Sequence, residues 1–152
     1  MDKLGQGHTD NPKTDADYTF EGLFRHALGF VKAIGITQAH FMGHSRGALL
    51  AANFAMENPD LVEKLVIVDS NTLAPDSLMA LGRRFYAQHS MPPGPPTTEG
   101  VRIEPDAQAY FSKVHVTDDF IARMLEIAQL PKTREATGGY GRQRPGVPET
   151  RA

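Results

Sequence analysis

The stretch Gly43-His44-Ser45-Arg46-Gly47 constrains this chain more than any other. An apolar run, Ala39-His40-Phe41-Met42, leads into it, and an alanine- and leucine-rich run, Ala48-Leu49-Leu50-Ala51-Ala52-Asn53, leads out. That order reads as strand, sharp turn and helix, with Ser45 at the apex. A strand that reverses within a few residues needs glycine on either side of the apex, because side chains there would collide with neighbouring chain. Such a turn lifts the serine hydroxyl clear of the sheet. It also aims the first N–H groups of the helix at the same spot, which suits an anion forming there.

A Gly-x-Ser-x-Gly pattern arises easily in a chain with 14 glycines, so its setting carries the weight. Residues 48–57 are strong helix formers, and Asn58-Pro59 stops them. Lys64-Leu65-Val66-Ile67-Val68-Asp69 then reads as the next buried parallel strand. The plainer alternative is a strand-turn-helix unit in which Ser45 only caps the helix. Ahead of the turn, residues 18–34 place Phe20, Leu23, Phe24, Ala27, Leu28, Val31 and Ile34 at helical spacing, with Thr19 as the cap. That is an amphipathic helix covering a sheet face. The order loop, helix, strand, helix, strand predicts an α/β fold of parallel strands with right-handed crossover helices. Two parallel strands alone make a poor sheet, so they must find partners, for instance in a homo-oligomer, or stay exposed.

Beyond Ser70 the texture changes. Residues 73–86 read as a helix with Leu78, Met79, Leu81 and Phe85 on one side, followed by the link Met91-Pro92-Pro93-Gly94-Pro95-Pro96. Residues 107–111 read as a short helix. Val116-Thr117-Asp118-Asp119 reads as a cap leading into a helical stripe of Phe120, Ile121, Met124, Leu125, Ile127 and Ala128. No strand is predicted here, as for a lid beside a sheet. Residues 133–152 hold glycine, arginine and proline and no Leu, Ile, Phe or Met, so they are expected to be disordered. The predicted division is a partial core over residues 1–72, a helical lid over 73–132 and a disordered tail over 133–152.

At 152 residues, with 40% hydrophobic content and a formal charge of -2, the chain is long enough for one ordinary soluble domain. There is no basic surplus for nucleic acid, no apolar stretch that would cross a membrane, and no apolar signal core at the N-terminus. A cytoplasmic protein is expected. The absence of cysteine excludes disulfides, thiolate metal sites and cysteine nucleophiles. No set of histidines and carboxylates has ligand spacing, so neither metal nor cofactor is expected.

From residue 2 to about residue 131 the chain resembles an α/β-hydrolase, and within that superfamily it is similar to the meta-cleavage product hydrolases of aromatic catabolism. The matching pieces start with Asp2-Lys3-Leu4-Gly5-Gln6-Gly7-His8-Thr9-Asp10, similar to the loop after the family's fourth strand. Gly43-His44-Ser45-Arg46-Gly47 resembles the nucleophile elbow, and Leu65-Val66-Ile67-Val68-Asp69-Ser70-Asn71-Thr72-Leu73-Ala74-Pro75 resembles the next strand and the start of the lid. Val116-Thr117-Asp118-Asp119 with Arg123-Met124-Leu125-Glu126 resembles the lid helix.

The resemblance implies a partial α/β-hydrolase fold followed by a helical lid region. It implies Ser45 as nucleophile, the Arg46 N–H as oxyanion donor, Arg123 as partner of a substrate carboxylate, and His44, Phe85 and Phe111 as substrate-binding residues. The implied reaction is cofactor-free hydrolysis of a carbon–carbon bond in a small-molecule substrate, a dienoate diketone made by aromatic ring cleavage. Family members have strands before and after this region, which supply the rest of the oxyanion hole, the triad aspartate and the triad histidine. The chain is therefore expected to be a fragment lacking them. His44 stands where the subfamily often has asparagine. Asp69, at a strand end, reads as a capping residue or as a triad acid, and His8 as a surface or pocket residue. Two alternatives accompany this reading: a carboxylic ester hydrolase with the same elbow, and a catalytically inactive piece that needs a partner chain.

Overall fold

The computed structural model describes residues 1–109 and 111–142. They fall into two compact units. One comprises Ala27–Ser90, the other Met1–His26 with the described residues from Met91 onward.

Helix α1 (Phe20–Ala33) follows a short 3-10 turn at Asp15–Tyr18. The Thr19 hydroxyl accepts the Gly22 N–H at 3.1 Å, the cap read from the sequence. Gly22 has to lack a side chain, because a Cβ would stand 2.6 Å from Asp17 Cα. Phe24, Ala27 and Val31, at helical spacing, are buried. The helix ends on Gly35 at φ 75°, with Gly35 N–H on Lys32 O and Ile36 N–H on Val31 O. This paired closure satisfies the last carbonyls and favours glycine at the left-handed position.

In the unit Ala27–Ser90, strands β1 (Ala39–His44) and β2 (Val62–Val68) pair in parallel and are joined by helix α2 (Arg46–Glu57). Ala39 faces Val62 but His40 faces Lys64, so Glu63 is an extra residue in β2. Its carboxylate meets His40 Nδ1 at 3.0 Å on the surface. Helix α2 packs on both strands through Ala48, Ala51 and Phe54, with the Phe54 ring 4.9 Å from that of Phe41. The expectation of a buried second strand is corrected here: residues 63–68 are all exposed, Val66 at 47% and Ile67 at 43%. The reason is the sheet itself, which among the described residues has two strands and so leaves β2 without a further neighbour. Past β2, a 3-10 turn at Asn71–Leu73 leads to helix α3 (Asp76–His89), which packs on that turn.

The other unit carries α4 (Thr98–Gln108), α5 (Asp118–Gln129) and α6 (Pro131–Arg142). Val101, Val116 and Ile121 form its core, flanked by Met124, Leu125 and Ala128. Thr117 caps α5 by accepting the Phe120 N–H, as read from the sequence. Two expectations change. Of the short helix predicted over 107–111, Ala107 and Gln108 are the last residues of α4, which starts nine residues earlier and is capped by Thr97 through the Gly100 N–H. The tail predicted to be disordered from Thr133 is helical to Arg142, while residues 143–152 lie outside the described residues. Long-range bonds hold the start of α6: Asn11 Nδ2 donates to Lys132 O and Glu135 Oε2, and Lys132 Nζ to Thr9 O. Ala136 is fully buried. Each glycine in the helix costs about 1 kcal/mol relative to alanine, and this anchoring offsets that cost. Among the described residues no helix is long and apolar enough to cross a membrane.

Candidate active site

Strand β1 ends on Gly43 and His44, and α2 begins at Arg46, so Ser45 alone makes the reversal. Its backbone sits at φ 52° and ψ -121°, a region that costs a side-chain-bearing residue about 1–3 kcal/mol. Two interactions hold it there. The Ser45 N–H donates to Val68 O of β2 at 3.1 Å, and its carbonyl accepts the Ala48 N–H at 3.0 Å. Ser45 stands at the N-cap position, yet its side chain makes no cap bond. The hydroxyl is thus not occupied by the capping role that the plainer reading gave it.

The two flanking glycines differ. A Cβ on Gly43 would lie 2.2 Å from Gly47 O and 2.6 Å from Ala48 N, so the strand can run under the helix only as glycine. A Cβ on Gly47 meets nothing within 4 Å. The expectation that both glycines avoid a collision is therefore met at Gly43 and corrected at Gly47. Arg46 is the first residue of α2, so its N–H is one of those to which a helix offers no internal acceptor. Its side chain is exposed, as is that of His44.

Asp69 lies directly past the end of β2 at φ 38° and is exposed. Among the described residues Ser45 and Asp69 are the non-glycine residues with positive φ, and each directly follows the last residue of one of two adjacent parallel strands. Phe85, half-buried on α3, stacks on His89 with centroids 4.5 Å apart and takes Tyr86 edge-on at 5.5 Å. Arg123 and Phe111 belong to the other unit. The Arg123 guanidinium is exposed and ion-paired with Glu126 at 3.7 Å, and Phe111 is fully exposed just past α4. The His8 backbone N–H donates to Asp2 Oδ2 at 3.4 Å. Among the described residues no group of three or more His, Asp or Glu side chains is arranged to hold a metal ion.

Sequence reasoning missed Ser70 and Thr72. Their hydroxyls reach the Ser45 carbonyl at 3.0 and 3.2 Å and lie 3.0 Å from each other. The available signal was a pair of hydroxyl residues two apart just beyond a strand end.

Comparison with known proteins gives this geometry a context. The chain is 36% identical over 69 residues to a 2-hydroxymuconate semialdehyde hydrolase of Pseudomonas putida, covering 45% of this chain and 24% of that protein. It is 35% identical over 65 residues to epoxide hydrolase 2 of Siraitia grosvenorii, covering 43% and 21%. The chain thus spans about a quarter of the length of the curated relatives it matches. A solved meta-cleavage product hydrolase from Pseudomonas fluorescens IP01 superposes with a TM-score of 0.70 at 24% identity, over 96% of this chain and 49% of that one. The family model for the alpha/beta hydrolase fold matches residues 1–100, a span that contains both strands, the turn at Ser45 and the helix behind it. The chain belongs to the α/β-hydrolase family, and within it resembles the meta-cleavage product hydrolases.

Proposed function

We propose that Ser45 is the nucleophile of a hydrolase and that the Arg46 N–H is an oxyanion donor. The observation that carries this reading is the Ser45 backbone, strained and pinned at a strand-to-helix reversal with an uncapped hydroxyl. Strain of this kind persists only where the surroundings over-determine it, and it concentrates at functional sites. A serine hydroxyl attacks a carbonyl once a base takes its proton, and the attack leaves a negative oxygen that a helix-start N–H stabilises. The family resemblance gives the base and its orienting acid to strands that follow the lid.

The preferred substrate class is a meta-cleavage product of aromatic degradation, cleaved at a carbon–carbon bond. Likeness to 2-hydroxymuconate semialdehyde hydrolase and to the meta-cleavage product hydrolase structure supports it. In this scheme His44 and Phe85, which belong to the same unit as Ser45, contact a small apolar substrate. A carboxylic ester hydrolase would use the same elbow. The second reading is a chain inert until a partner completes its sheet, and the exposed apolar β2 favours it.

Treating the full chain with a fluorophosphonate and weighing the intact protein separates these readings. A single adduct mapped to Ser45 and lost in Ser45→Ala supports a working nucleophile. Folded protein without an adduct supports the inert reading. Where the adduct forms, turnover of a dienoate ketone against a p-nitrophenyl ester distinguishes the substrate classes.

A further inference from the structure

We propose that Ser70 and Thr72 are positioning residues that hold and polarise the peptide group joining Ser45 to Arg46. The inference rests on the reading of Arg46 N–H as an oxyanion donor. The Ser45 carbonyl meets three donors: the Ala48 N–H at 3.0 Å, the Ser70 hydroxyl at 3.0 Å and the Thr72 hydroxyl at 3.2 Å. The two hydroxyls are also 3.0 Å apart. They own two protons for three contacts, so either both donate to the carbonyl or one donates to its neighbour, which donates to the carbonyl. Every arrangement leaves at least one O–H on the Ser45 oxygen.

That oxygen and the Arg46 N–H belong to one planar, resonance-coupled peptide. A donor on the oxygen draws electron density toward it and makes the N–H at the other end a stronger donor, the cooperative effect known in hydrogen-bond chains. Ser70, Thr72, the Ser45 carbonyl and the Arg46 N–H therefore form one chain aimed at the spot where an oxyanion would develop. The same bonds tie the elbow to the segment after β2, so the peptide plane is fixed from outside the turn. Because one hydroxyl can replace the other, loss of either should be partly compensated and loss of both should not.

The experiment compares the full-length parent chain with Ser70→Ala, Thr72→Val, the double variant, and the hydroxyl-retaining Ser70→Thr/Thr72→Ser pair. Two readouts are taken. In triple-resonance NMR, the Ser45 carbonyl carbon and the Arg46 amide proton should move upfield in the double variant by more than the sum of the single changes. The hydroxyl-retaining pair should restore the parent shifts. In fluorophosphonate labelling, the double variant should react about tenfold more slowly than the parent, less than the 10²–10³ lost when a donor is removed outright. Unchanged Ser45 and Arg46 shifts in a folded double variant would overturn the proposal, as would strictly additive changes. A parent that never labels defeats the nucleophile reading but leaves the NMR comparison intact, so the two failures are distinguishable. If the double variant does not fold, the single variants are compared with the hydroxyl-retaining pair, and equal shifts in both overturn the proposal.

Discussion

Gly43 and Gly47 look equivalent in sequence and are not equivalent in space. Gly43 lies under backbone atoms of α2's first turn, which cannot swing aside as a side-chain tip can. Gly43→Ala is therefore expected to destabilise the chain by about 2–3 kcal/mol through overpacking. Gly47 faces open space inside α2, so Gly47→Ala should be neutral or stabilising by up to about 1 kcal/mol, from helix propensity alone. Chemical denaturation of the two variants beside the parent checks both. Equal losses would mean that the turn itself, and not the close approach at Gly43, demands glycine.

Helices in this chain were legible where a cap and a stripe coincide, and illegible where one was missing. Thr117 ahead of Phe120, Ile121 and Met124 gives both signals, and α5 forms where expected. Helix α4 has its cap at Thr97 but contains Pro105 and lies behind a proline-rich link, so its first nine residues carry no helix assignment in the sequence. The turn at Ser45 was legible because glycine spacing, strand formers and helix formers agree within fifteen residues. The Ser70 and Thr72 bonds to Ser45 were not, since they span 25 and 27 residues and depend on strand register. Burial of β2 was misjudged for a similar reason, because an apolar run states a preference while neighbouring strands decide the outcome. The caps support an element-level prediction. Thr117→Ala removes an acceptor for the Phe120 N–H and should cost about 1 kcal/mol, seen as faster amide exchange through the first turn of α5. Exchange unchanged from the parent would show that packing of Ile121 alone fixes that helix start.

Across the whole molecule, the exposed β2 carries Leu65, Val66, Ile67 and Val68 in unbroken sequence, and Met42 on β1 is 75% exposed. A flat apolar strand with unpaired backbone groups is a template for another chain. The expected outcome is concentration-dependent association of the purified chain by sedimentation velocity, reduced toward monomer by Val66→Lys. A parent that sediments as monomer at every concentration would contradict this. Sheet pairing also orders events in time. Ser45 reaches φ 52° with its N–H on Val68, so its strain is absent from the unfolded chain and is incurred only once β1 meets β2. Such late strain lowers the unfolding barrier and leaves the folding one unchanged. Ser45→Gly is thus expected to slow unfolding about fivefold, the equivalent of roughly 1 kcal/mol, with the refolding arm of the chevron unmoved. Faster refolding would instead put the turn in the folding nucleus. On this account the residue proposed to react is also the one that shortens the lifetime of the fold holding it.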